Sequence, residues 1–179
     1  MTELTLGHRI SECGRAVATA TLPAMANSGN VHMQTMIAAV ARMAGIYMFR
    51  SFGLKPENVQ PGQVVLTEQS KPSAVMLIQI CANVLKELDS ATDTKLPPPL
   101  NDPQYAAQLD FLATQRILEP VLNLAQVQYG LDHPQMAQAA AIGTGLLIHA
   151  LRQHLEPQLG FGVACFAFTE ACRTQPAPM

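Results

Sequence analysis

Residues 31–52 read VHMQTMIAAVARMAGIYMFRSF, and their spacing decides the fold. Met33, Met36, Ile37, Val40, Ala44 and Tyr47 recur at the i, i+3, i+4, i+7 intervals of one helix face. The opposite side is apolar too, because Ala39, Ile46 and Phe49 flank Arg42, so this helix is expected to be covered on more than one side and to lie at the centre of the molecule. Asn27, Ser28 and Asn30 are capping candidates and Gly53 is a stop.

The same period continues outward. Pro72 suits a first helical turn ahead of Ala74, Leu77, Ile78, Cys81, Val84, Leu85 and Leu88, an apolar stripe opposite Gln79, Asn83, Lys86 and Glu87. A further helix is predicted to open at Asn101 or Asp102 and to run to Tyr129, with Pro120 kinking or dividing it. Another starts at Pro134, capped by Asp132 or His133, and ends before Pro157. Its middle, Ala139 to Gly145, is built of small residues, the composition of a tight helix crossing within one chain or between two. Phe161, Cys165, Phe168 and Cys172 are helically spaced, while Phe166 and Phe168 alternate as in a strand; helix is the preferred reading, because a last helix can close a bundle. The tail from Thr174 is expected to fray.

Between these helices lie punctuation and one β-branched stretch. Residues 63–66 are the place for at most one short extended segment, and residues 90–100, with three consecutive prolines, read as an exposed linker between two helical pairs. The expectation is an all-α, single-domain bundle of four to six helices spanning residues 1–179.

Charge and cysteine usage narrow the function. Asp, Glu, Lys and Arg make up 13% of the chain, about half the roughly 25% usual for soluble proteins, which hints at surface hidden in a homo-oligomer. The eleven basic residues never form a run and the net charge is -2, a poor footprint for nucleic acid. No stretch has the ~20 predominantly apolar residues of a membrane span. The stretch Ala16–Met25 makes a poor secretory leader, diluted by Thr19 and Thr21 and broken by Pro23. Four cysteines without CxxC spacing, in apolar surroundings, read as buried thiols of a cytoplasmic protein.

No motif assigns chemistry. HExxH, the phosphate loop, GxGxxG and the GxSxG elbow are absent from the sequence, so no catalytic residue, metal ligand or cofactor is assigned. His149 and His154 are out of phase on one helix, although His149 could meet a carboxylate such as Asp110 or Glu119. His133, beside Asp132 and Pro134, belongs to helix-start chemistry. Arg42 is a permanent charge in an apolar stretch, and it needs an internal acid, water or an anionic ligand. The nine methionines offer pliable packing, most of it core, with Met48 beside Phe52 as a candidate contact surface.

Two functions follow as expectations. The first is a helical protein-protein interaction or scaffold protein, homodimeric, with Met48, Phe52, Ala139 and Gly143 at the interface. The alternative is a binding module for an apolar or lipid-like small molecule between helices, with Arg42 or His149 meeting its polar end.

Overall fold

The computed structural model describes residues 5–29, 32–54, 57–88, 92–94 and 107–179. They form an all-α bundle of six helices: α1 Leu6–Asn27, α2 Met33–Ser51, α3 Ser70–Glu87, α4 Phe111–Tyr129, α5 His133–Ala150 and α6 Pro157–Ala171. Every residue of α2 from Thr35 to Phe49 is buried. The cause is its place in the bundle: α4, α5 and α6 pack around it, while α5 in turn packs against α1, α2 and α3. One continuous core results, with Tyr47, Phe161, Phe168, Met25, Met43 and Met136 among its fully buried side chains.

Helix α1 is an addition to the sequence reading. Its buried face is Ile10, Cys13, Gly14, Val17, Thr21 and Met25, a helical spacing carried partly by residues with little hydrophobic signal. Thr5 caps it by accepting from His8 N–H at 3.3 Å, and Thr21 satisfies its own buried hydroxyl by donating to the Val17 carbonyl at 2.8 Å. Small residues let α1 lie directly on α5. A Cβ on Gly143 would stand 2.9 Å from the carbonyl oxygen of Gly14, so the small-residue stretch of α5 makes its tight crossing inside one chain.

The remaining boundaries follow capping chemistry. Asp132 begins α5 with a capping box, accepting from Gln135 N–H at 2.9 Å while Gln135 Oε1 accepts from Asp132 N–H at 3.1 Å. Gly130, in the left-handed region, ends α4 just before it. The expected start of α4 at Asn101 or Asp102 is corrected: Asp110 is the N-cap, accepting from Ala113 N–H at 2.7 Å, and residues 101–106 lie outside the described residues. Pro120 does not divide α4, which runs through it. The segment 161–172 is helical in α6 up to Ala171.

The connector after α2 supplies the short extended piece. Val64 forms an isolated antiparallel bridge with Thr174, and Val65 N–H donates to the Arg173 carbonyl at 2.6 Å. Contrary to expectation, the tail is therefore fastened rather than frayed. Of the linker at 90–100, only residues 92–94 are described; there Gln158 Oε1 accepts from Asp93 N–H at 2.6 Å and Gln158 Nε2 donates to the Asp93 carbonyl at 3.1 Å.

Candidate functional site

Arg42 is buried and engaged. Nε donates to Glu170 Oε2 at 2.7 Å and Nη2 lies 3.4 Å from Glu170 Oε1, while Nη1 donates to the Leu109 carbonyl at 2.7 Å and to Thr114 Oγ1 at 3.1 Å. This single guanidinium ties α2 to α6, to the start of α4 and to the loop before it. His149 is half-buried near the end of α5, and its carbonyl accepts from Arg152 Nη1 at 2.7 Å. The carboxylates that sequence reading offered it are engaged elsewhere, Asp110 as the cap of α4 and Glu119 with Arg50 and Gln115. Met48, Ala139 and Gly143 are buried within the chain, whereas Phe52 is half-buried, its ring 5.9 Å from that of Phe49.

A different place has the form of a binding site. Between α3 and α6 runs a groove of about 600 Å³, inside the ~300–1,000 Å³ range of small-molecule pockets. Phe161 and Cys165 form its floor from α6, Ala74, Val75 and Ile78 its wall from α3, and Leu66 one edge from the connector. Hydrophobic side chains stay open to water around it, with Leu66 79% and Val75 54% exposed. Lys71 and Arg173 line the same groove, both solvent-exposed, and neither side chain has a hydrogen-bond or ion-pair partner among the described residues.

Local folding explains these positions. The N-terminal turns of α3 carry Lys71, Ala74 and Val75, so the side chains meet the groove in successive turns. Arg173 follows the end of α6, where its carbonyl pairs with Val65 and holds that end in place. Neither Arg42 nor His149 lines the groove. Of the residues that sequence reading placed on apolar stripes, Ala74, Ile78, Phe161 and Cys165 meet here.

The groove has no reactive thiol. Burial pushes the Cys165 thiol up to about 12, and Cys81, on the buried face of α3, is likewise raised above the ordinary range by burial and by Cys165. All four cysteines are free and buried. Among the described residues, no group of His, Cys, Asp and Glu side chains gathers as a metal-ion set. No described helix is long and apolar enough to cross a membrane. The chain matches no protein-family model, no curated protein and no solved structure.

Proposed function

We propose that the protein is a binding module for an apolar molecule with one anionic group, held in the groove between α3 and α6. The observation that carries this reading is the combination in one groove of an apolar floor with two unpaired cations, Lys71 and Arg173. The floor and wall remove hydrocarbon from water, at about 0.8 kcal/mol per buried CH₂, and the cations favour a carboxylate or similar head over a neutral one. A fluorescent fatty acid such as dansylaminoundecanoate tests it. The native protein should bind the probe saturably, and Lys71→Gln with Arg173→Gln should weaken the acid by about tenfold while leaving the methyl ester nearly unaffected. Equal loss for acid and ester would remove the anionic part of the reading, and absence of saturable binding would remove the whole.

A second reading, self-association or partner binding, is favoured by α4. Leu124 and Val127 lie about one turn apart on it, 73% and 81% exposed. In this reading the protein is a homodimer or scaffold component joined through that face rather than through Ala139 and Gly143. Sedimentation equilibrium of the native chain beside Val127→Glu tests it, a monomer in both cases being the contrary result. The buried free thiols accord with a reducing, cytoplasmic setting under either reading.

A further inference from the structure

The main chain of residues 175–177 is held at Gln175 by neighbouring backbone and at Ala177 by side chains. Gln115, 2% exposed on α4, reads both polar groups of one residue: its Oε1 accepts from Ala177 N–H at 2.9 Å and its Nε2 donates to the Ala177 carbonyl at 3.0 Å. Arg50 Nη2 adds a second donor to that carbonyl at 3.1 Å. These two residues are oriented by a third. Gln115 Nε2 also donates to Glu119 Oε2 at 2.8 Å, one helical turn along α4, and the Glu119 carboxylate pairs with Arg50 Nη1 from α2. Just upstream, the Gln175 carbonyl accepts from Gly62 N–H at 2.7 Å and Gln175 N–H donates to the Gln63 carbonyl at 2.8 Å.

None of these bonds uses a side chain of the held segment. Pro176 and Pro178 have no N–H, so Ala177 offers the one main-chain donor between them, and that donor is the one Gln115 takes. Ala177, Pro178 and Met179 also form a shared wall between two depressions, one of about 490 Å³ beside Phe49, Leu54 and Val59, the other of about 500 Å³ beside Leu112 and Pro120. The segment thus crosses a wider cleft and is gripped at its middle.

We propose that the Arg50, Glu119 and Gln115 array is a binding site for an extended peptide of the type Pro-small-Pro, occupied in cis by residues 175–178 and open in trans to such a segment of another protein. Main-chain recognition by a prearranged side-chain amide does not depend on which chain supplies the peptide. A tethered occupant competes at an effective concentration on the order of millimolar, so the site is self-blocked against weak partners.

The full-length protein with Ala177→Pro tests this, because the substitution deletes the N–H that Gln115 accepts and leaves the array intact. A fluorescein-labelled peptide copying Arg173–Met179 should bind this variant at least about tenfold more tightly than it binds the native protein, and the added change Gln115→Ala should abolish the gain. A second measurement covers poor folding of the proline variant. Met179→Cys in the otherwise native chain takes a maleimide dye selectively, the other thiols being buried, and unlabelled peptide should lower the dye's anisotropy as it displaces the segment. No gain in peptide binding together with unchanged anisotropy overturns the proposal, as does peptide binding that survives Gln115→Ala.

Discussion

Gly14 and Gly143 bring α1 and α5 into backbone contact: a Cβ on Gly143 would stand 2.9 Å from Gly14 O and 3.0 Å from Val17 Cγ1. A carbonyl cannot step aside as a flexible side chain can. Gly143→Ala is therefore expected to destabilise the fold by about 1–3 kcal/mol, although alanine is the better helix former by about 1 kcal/mol. Gly7→Ala is the control, since nothing lies within 4 Å of its added Cβ, and it should be neutral or stabilising by no more than about 1 kcal/mol. Urea unfolding midpoints distinguish the two.

Loss of the Glu170 carboxylate is expected to cost more than its own packing. Arg42, with its side chain 7% exposed, would keep Leu109 O and Thr114 but lose its only counter-charge among the described residues. Glu170→Ala should lower stability by about 2–3 kcal/mol, somewhat under the cost of opening a wholly buried pair because Glu170 is 27% exposed. Glu170→Gln, which keeps an acceptor for Arg42 Nε, should recover part of the loss in the same urea titration.

His133 gives stability a pH dependence of known sign. Its ring lies 5.9 Å from that of Tyr47, and burial together with the Arg50 charge pushes its pKa below the ordinary 6.5, against weaker opposing effects of Asp132 and Glu119. Below 6.5 the unfolded chain takes up this proton before the folded one. The contribution of His133 is thus fully present above that pH, falls as the solution is acidified towards the folded pKa, and levels off beneath it. His133→Phe should flatten this part of the stability profile on acidification below 6.5, measured as the difference in urea midpoint from the native protein.

The helices were legible where greasiness carried the pattern. Residues 31–52 show their central place because they are apolar all round, and Asp132 with Gln135 announces the start of α5. Helix α1 was not legible, since its face uses Cys13, Gly14 and Thr21, which pack by closeness rather than by hydrophobic bulk. At α4, Asn101 and Asp102 before Pro103 offer the same capping chemistry that Asp110 actually performs. Arg42 stood out as an isolated charge, but its partner Glu170 comes from another helix, and no local spacing links them. Lys71 and Arg173 are brought to one groove by the packing of α3 on α6. The tail reads as frayed in the sequence because its own main-chain groups, which no side-chain pattern advertises, make the hydrogen bonds that fasten it.

Dodecanoate titrated into isotopically labelled protein, followed by methyl NMR, addresses the α3–α6 groove most directly. Progressive, saturable shifts at Ala74, Val75 and Ile78, with Leu124 and Val127 on α4 unmoved, are the expected result. Unchanged signals at Ala74, Val75 and Ile78, or shifts there no larger than those at Leu124, would contradict a binding site for an apolar anion between these two helices.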